Sequence, residues 1–403
     1  MSAPVFRRIC VLGLGYVGLP TASLLGTLGY DVYGVDVNPQ VVEKIRAGSI
    51  HIPEPGLDVL VKSAVQSGNL RVGTEPEEAD VFILAVPTPF EDGHQPDLSF
   101  VTAATDALVP VIRAGNLVVL ESTCPVGTTK EIVAPRLAAS GLTLGEDLFV
   151  AHCPERVLPG KILSELLELD RIVGGVDEAS AERAQAFFAG FVNGEVHCTT
   201  AETAELTKLV ENAYRDVNIA LANELSLICD VEGVSVGELI QLANRHPRVN
   251  ILQPGPGVGG HCIAVDPWFI IARQPTLTRL LAAARAVNDQ KPDWVVERVK
   301  RHAEKFVRPV IACLGLAYKA DVNDLRESPA LKIVRSLISD RVGEVLAVEP
   351  NLERHADFSL HLPEEAINVA DIVVILVGHK EFRKIKRERF HEKIVIDTVG
   401  MLV

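Results

Sequence analysis

Residues 8–18 read RICVLGLGYVG, an apolar run that breaks into Gly13-Leu-Gly15-Tyr-Val-Gly18. Ile9 to Leu12 is the length of a buried strand, and the glycines supply a tight turn before a helix opening at Gly18. In such a strand–turn–helix the first glycine permits the turn. The second lets backbone approach a pyrophosphate, and the third lets helix lie on strand. The pyrophosphate would rest on backbone N–H groups at the helix N-terminus, among them those of Tyr16 and Val17. The next apolar run, DVYGVDVNP (31–39), ends in Asp36. That acid is placed to bind a ribose 2′-hydroxyl and to repel a 2′-phosphate, so the stretch predicts a dinucleotide site that prefers NAD to NADP.

Working outward, ADVFILAVPTP (79–89) and NLVVLESTCPVG (116–127) are further apolar runs closed by turn residues, alternating with helical segments. That alternation predicts a parallel, doubly wound sheet. The same order returns late in the chain. RPVIACLGLAYK (308–319) is a strand into a turn, GEVLAVEPN (343–351) places Glu349 near the position of Asp36, and ADIVVILVGHK (370–380) and KIVIDTVG (393–400) complete the set. The expected fold is therefore α/β, with two Rossmann-like doubly wound domains joined by a long central helix. Residues 199–233 carry that helix, starting at a Thr/Glu capping signature and stopping at Gly233. The expected domains are 1–198 for the cofactor, 199–305 for a central helical part, and 306–403 for the second Rossmann-like half. A long apolar helix between two domains is also the expected surface for a homodimer.

Composition narrows the function. At 403 residues the chain calls for two or three domains, and 48% hydrophobic with 23% charged residues is ordinary for a globular protein. A net charge of −14 argues against nucleic acid, which needs clustered Lys and Arg. No run approaches the roughly 18–20 apolar residues of a membrane span. The start of the chain has no small-residue cleavage site, so no secretory leader is expected. Seven cysteines without a C-x-x-C pair suit a reducing cytoplasm and give no metal site.

Several polar groups sit where chemistry could use them. Lys208, Asn212 and Arg215 fall at i, i+4 and i+7 of the long helix, one stripe that alone would read as a solvated face. STCPVG brings Thr123, and HCPERVLPG (152–160) brings Glu155 and Arg156, to the carboxyl edge of the sheet where ligands bind in such folds. HPRVNILQPGPGVGGHC offers His246 and Arg248 before the glycines, and LAYKADVNDLRESP carries Lys319 and Arg326 after a strand. Cys262, in GPGVGGHCIAVDP, reads either as an inert buried thiol or as a nucleophile. Glycines would let a substrate approach it, and His261 or a helix N-terminus could lower its pKa. A dinucleotide site plus a reactive thiol points to oxidation through a thioester.

Together these stretches resemble the nucleotide-sugar dehydrogenase family, enzymes that oxidise UDP-glucose, GDP-mannose and UDP-N-acetyl sugars at C6. The likeness covers essentially the whole chain, from GLGYVGLP through VPTPF, ESTCPVG, CPERVLPG, LTKLVENAYRDVNIALANELSLIC and GPGVGGHC to GLAYKADVNDLRESP. VNILQPGPGVGGHCIAVDPWF looks like the N-acetylated branch, since the UDP-glucose and GDP-mannose enzymes place Ser-Cys and Pro-Lys-Asp there. The resemblance implies a four-electron oxidation of UDP-N-acetyl-D-mannosamine by NAD through a Cys262 thiohemiacetal and thioester. UDP-N-acetylglucosamine stays open as the alternative, because its enzymes tend to carry proline where Ala264 stands. A catalytically inactive NAD and UDP-sugar binder is the third reading, against which intact Lys208 and Cys262 speak.

By the same resemblance Lys208 and Asn212 stabilise an oxyanion, and Glu155, Thr123 and Asp266 place the hydrolytic water. Arg156, Val157, Lys208, Asn212, Arg215, His246, Arg248, Gly259, Tyr318, Lys319 and Arg326 match substrate contacts. Gly13, Gly15, Tyr16, Val17, Gly18, Asp36, Thr88 and Thr123 match cofactor contacts. One departure stands out: relatives carry a basic residue after the last strand's acid, where this chain has Val399. Another Lys or Arg nearby is expected to take its place, or the contact is lost.

Overall fold

The computed structural model describes residues 6–91 and 93–402. The first five residues, on which part of the expectation of no leader rests, lie outside them. The chain forms two compact units, Met1–Val210 with Trp268–Arg273, and Glu211–Pro267 with Gln274–Val403.

Among the described residues the first unit holds ten strands: β1 (Arg8–Leu12), β2 (Asp31–Val35), β3 (Leu70–Gly73), β4 (Val81–Leu84), β5 (Phe90–Glu91), β6 (Gln95–Pro96), β7 (Asn116–Leu120), β8 (Leu148–His152), β9 (Arg171–Gly175) and β10 (Val196–Thr200). Eight form one sheet in the order β10-β9-β8-β7-β4-β1-β2-β3, and β5 and β6 pair as a separate hairpin. Successive residues of β1 and β4 feed opposite cores. Ile9, Val11, Val81 and Ile83 join one buried cluster, while Cys10, Leu12, Phe82 and Leu84 join another. Helices cover both faces, which is why these strands read as unbroken apolar runs rather than as alternating ones. Each such fully buried side chain contributes roughly 1.5–3 kcal/mol of transfer free energy. One pairing departs from the expected parallel sheet. β8 and β9 run antiparallel, with Ala151 opposite Gly175 and His152 opposite Gly174, because the chain doubles back after HCPERVLPG.

In the second unit β11 (Val310–Leu314), β12 (Glu344–Val348), β13 (Ile372–Ile375) and β14 (Ile394–Asp397) form a parallel sheet ordered β12-β11-β13-β14. This repeats the β2-β1-β4-β7 order of the first sheet, strand for strand. The match extends to single atoms. Gly13 and Gly315, at φ +91° and +93°, each donate an N–H to the carbonyl of the next strand's end, Val35 and Val348, both at 2.8 Å. Asp36 accepts the Leu14 N–H at 3.1 Å, and Glu349 accepts those of Leu316 and Ala317 at 2.8 and 3.0 Å.

The long helix spans Ala201–Glu232. The Thr200 hydroxyl accepts the Thr203 N–H at 3.2 Å at its start, and Gly233 ends it at φ +70° with Val234 N–H on the Cys229 carbonyl. No helix among the described residues is long and apolar enough to cross a membrane.

Candidate functional site

In the first unit the three glycines divide their tasks by space. A Cβ on Gly13 would lie 2.5 Å from the Ala85 carbonyl oxygen, and one on Gly18 only 1.8 Å from the Gly13 carbonyl oxygen. Around Gly15 nothing lies within 4 Å, so the middle of the turn is open to a ligand. The helix Gly18–Thr27 has no side-chain cap at its N-terminus, where Val17 takes the cap position and Tyr16 is exposed. An open backbone and uncapped N–H groups fit a pyrophosphate. Asp36 is half-buried and lends one oxygen to Leu14 N–H and the other to Asn38 N–H. The nearby Arg46 guanidinium is committed to Glu43 at 2.6 Å and to the Val72 carbonyl at 3.1 Å. That leaves it poorly placed to neutralise a 2′-phosphate, and the residues present fit NAD.

Thr88 donates its hydroxyl to the Thr123 carbonyl at 2.6 Å, tying two loops at the carboxyl edge of β4 and β7. Glu155 is buried and fully engaged. One oxygen accepts the N–H groups of Arg156 and Val157 at 2.6 and 3.0 Å, and the other accepts Arg171 Nη1 at 2.8 Å. Arg156 in turn donates to the Asp170 carbonyl. Glu54 accepts the N–H groups of Gly160 and Ile162 at 2.8 and 2.9 Å, closing the same loop. Lys208 is half-buried one turn beyond Glu205, and its amine has no hydrogen-bond partner among the described residues. Glu205 accepts from Gly127 N–H, Thr129 N–H and Thr129 hydroxyl at 2.5 to 2.8 Å, so the STCPVG turn is anchored to the long helix.

The second unit assembles Cys262, Asp266, Asn212 and Arg215. The Cys262 carbonyl accepts the N–H groups of Val265 and Asp266 at 3.0 and 2.8 Å, a tight turn that leaves the Cys262 side exposed and Asp266 buried. Asn212, fully buried, donates its amide to Asp266 and accepts from Arg215. Burial, reinforced by the Arg326 charge, pushes the His261 imidazole below its ordinary range. That direction favours the uncharged ring, which weakens His261 against a helix N-terminus as the group that lowers the thiol pKa. The loop glycines answer first to the chain's own packing. A Cβ on Gly259 would meet the Glu327 carbonyl oxygen at 2.3 Å, and one on Gly260 the Tyr318 ring at 2.7 Å. Internal packing alone is enough to require glycine at these two positions.

That packing joins the Cys262 loop to the LAYKADVNDLRESP loop. Gly260 N–H donates to the Arg326 carbonyl at 3.2 Å, and Tyr318 N–H to the Asp324 carbonyl at 3.0 Å. Lys319 lies 5.8 Å over the Tyr318 ring, while Arg326 is clamped by Asp324 at 2.6 Å. Asp321 and Glu327 hold positive φ, 62° and 49°, a strained backbone of the kind that clusters at ligand loops. His246 and Arg248 bond to each other at 3.4 Å on an exposed loop, and to none of these groups among the described residues. Beside Val399 stands Arg383: a Cβ placed on Gly378 would meet the Arg383 Nη2 at 3.6 Å and a Val399 methyl at 3.7 Å. Arg383 is thus a basic group in the neighbourhood of Val399.

Other residues were missed by sequence reading. Asn218 and Asn223 of the long helix, with Asn244, stitch HPRVNILQPG in place by bonds to Asn250, Leu252, Gly255 and Ile251. Asp216 pairs with buried Arg285 at 2.7 Å and with Asn288 at 2.8 Å. Polar residues inside a helix look like a solvated face, and the near-zero exposure of Asp216, Asn223 and Asn288 appears only in the folded chain.

Comparison with known proteins agrees with this layout. Residues 7–192, 202–290 and 312–403 match the NAD binding, central and UDP binding domains of the UDP-glucose/GDP-mannose dehydrogenase family. The chain is 55% identical over 408 residues to an NDP-N-acetyl-D-galactosaminuronic acid dehydrogenase of Ralstonia nicotianae, covering 98% of this chain and 96% of that protein. It is 51% identical over 400 residues to a UDP-N-acetyl-D-mannosamine dehydrogenase of Campylobacter jejuni, covering 95% and 98%. It is also similar to the solved structure of the UDP-N-acetyl-mannosamine dehydrogenase Cap5O from Staphylococcus aureus. There the TM-score is 0.87 at 44% identity, over 97% of this chain and 94% of that one.

Proposed function

Because the chain belongs to the UDP-glucose/GDP-mannose dehydrogenase family and is an NAD-dependent nucleotide-sugar dehydrogenase, we propose that it oxidises C6 of UDP-N-acetyl-D-mannosamine to the carboxylate. The observation that carries this reading is the turn that joins exposed Cys262 to buried Asp266, with Asp266 held by Asn212. NAD, when bound, supplies a hydride acceptor for each of two oxidations. Lys208 takes the proton from the C6 hydroxyl as the first hydride leaves. Cys262 then adds through sulfur to the aldehyde carbon while its thiol proton passes to the carbonyl oxygen. The resulting thiohemiacetal gives up the second hydride together with its hydroxyl proton, released to water, to become a thioester. The Asn212 amide and the Lys208 ammonium stabilise the oxyanion in both addition steps. Water attacks the thioester carbon beside Thr123, Glu155 and Asp266; the C–S bond breaks, and the thiol leaves with a proton. Arg215, Arg156, Val157, Gly259, Tyr318, Lys319 and Arg326 hold the UDP-sugar, with Arg383 standing in for the basic group lacking at Val399. His246 and Arg248, exposed on their loop, complete the substrate contacts.

The 55% identical relative supports a second reading, the galacto-configured sugar, and UDP-N-acetylglucosamine is the further alternative, against which Ala264 in place of proline speaks. Initial rates with NAD and each of the three UDP-N-acetylhexosamines, plus UDP-glucose, decide among them. The manno epimer is expected to give the highest kcat/KM, and a higher value for another sugar overturns that assignment. Cys262→Ser is expected to lose at least about 100-fold in overall turnover; unchanged turnover would revive the inactive-binder reading and remove the thiol from the mechanism.

The chain divides for function into the parts 1–198, 199–305 and 306–403, and works in a reducing cytoplasm. It also pairs with a second copy through the long helix. Leu206, Val210, Tyr214, Leu221, Ile228 and Val231 are all exposed along that helix, an apolar row unlike a solvated face. Leu221→Glu is expected to shift sedimentation from dimer to monomer at micromolar concentration. A wild-type protein that sediments only as monomer contradicts the pairing.

A further inference from the structure

Behind the two proline turns of the first unit lies a buried charge cluster in which the steps above use Glu155 but neither Glu121 nor Arg171. Glu121, directly after β7, is 2% exposed, and its Oε2 has no hydrogen-bond partner. Arg171, at the start of β9, gives one Nη to Glu155 at 2.8 Å and the other to the Leu166 carbonyl at 3.0 Å. Its Nε–H is buried and unpartnered. The remaining titratable neighbours on β8 and the turn after it are held neutral: burial pushes the His152 imidazole down to about 3 and the Cys153 thiol well up. The cluster thus contains two carboxyl groups, one guanidinium, an unused acceptor and an unused donor.

A second buried carboxylate without its own cation costs several kcal/mol. One of the two acids must therefore hold a proton. Geometry decides which. Glu155 accepts three hydrogen bonds, one from Arg171, as an ionised group does. Glu121 has no donor at Oε2. Burial, with the Glu155 charge adding to it, pushes the Glu121 carboxyl up to about 8 against the pull of Arg171.

We propose that Glu121 and Glu155 share one proton and that Arg171 decides which of them carries it. Glu121 is then a positioning residue that stores a proton for Glu155. When Glu155 turns from Arg171 to a ligand, the unused Nε–H of Arg171 engages Glu121. The O–H bond on Glu121 breaks, an O–H bond forms on Glu155, and the buried cluster keeps its net charge of zero. This rests on the role given above to Glu155 in thioester hydrolysis, but the shared proton itself can be read without turnover.

The test uses the full chain. Infrared difference spectra of the wild type between pH 6 and pH 10 are expected to show a protonated-carboxyl band lost near pH 8 and absent in Glu121→Gln. In turnover, Glu121→Gln is expected to lose about 10- to 100-fold in kcat with KM for the UDP-sugar within about twofold, and to lose the break near pH 8 in the kcat profile. Arg171→Lys, which keeps the charge but lacks Nε–H, is expected to move the same break. A wild type without the infrared band, or a Glu121→Gln enzyme with an unchanged pH profile, overturns the shared proton. Absence of NADH from every UDP-sugar with the band present would instead sink the proposed function.

Discussion

A methyl group at Gly18 would sit 1.8 Å from the Gly13 carbonyl oxygen, with backbone on both sides of the contact. Gly18→Ala must push the helix off the strand, and an expected rise of at least about tenfold in the KM for NAD follows. A variant with unchanged KM for NAD would contradict the packing role. At Asp36 the expected change is in choice: Asp36→Ser should narrow the preference for NAD over NADP by about tenfold, read as the ratio of the two kcat/KM values. These residues were legible because the motif is local, with glycines at fixed spacing and an acid at the end of the following strand. Cys262 was legible as a site but not as a packing problem, because Glu327 and Tyr318 approach the loop from far along the chain. Glu205 and Glu54 were invisible for the same reason. Their partners lie 76 and 108 residues away, and neither residue has a local signature.

Among the elements, the long helix shows how a polar face turns out to be interior. Asp216 is buried against Arg285, and Asp216→Ala leaves that guanidinium only the half-exposed Asp289 as a carboxylate partner; a loss of up to about 3 kcal/mol in unfolding free energy is expected, measured by denaturant titration. The helix Arg279–Ala303 carries a second such case. Lys291 is buried, bonded to the Ser226 hydroxyl and 4.6 Å from the Trp294 ring, and burial, helped by Arg298, pushes its ammonium down to about 8. Its unfolded-state pKa is about 10.4. Between those two values the unfolded chain binds a proton that the folded chain does not, so this group makes stability rise with pH there. The stability difference between wild type and Lys291→Met is expected to change in favour of the wild type from pH 8 to pH 10; a difference flat in pH would contradict it. The eight strands of the two repeats were legible as apolar runs, whereas RIVGG and VHCTT were not. β9 carries two glycines and β10 is largely exposed at the sheet's edge, so neither presents the buried apolar signal.

For the molecule as a whole, the two halves share a fold but not a site. Asp36 is half-buried and takes two backbone N–H groups, while Glu349, in the corresponding place, is 3% exposed and takes donors from Leu316, Ala317, Asn351 and His379. A carboxylate saturated in this way has nothing left for a ribose diol. The chain is therefore expected to bind one NAD, and calorimetry should give one site per chain, not two. With a single dinucleotide site, two oxidations need two NAD in succession, and the aldehyde must be held while one replaces the other. In the mechanism proposed above, Cys262 holds it. The repeat was readable from four apolar runs in matching order, but the loss of the second ribose site was not, because the burying His379 belongs to a later stretch of the chain. The most direct measurement is the amount of NADH formed per UDP-N-acetylhexosamine consumed, at limiting sugar and excess NAD. Two NADH with the uronate as the product is the expected result, and one NADH with free aldehyde would contradict the account.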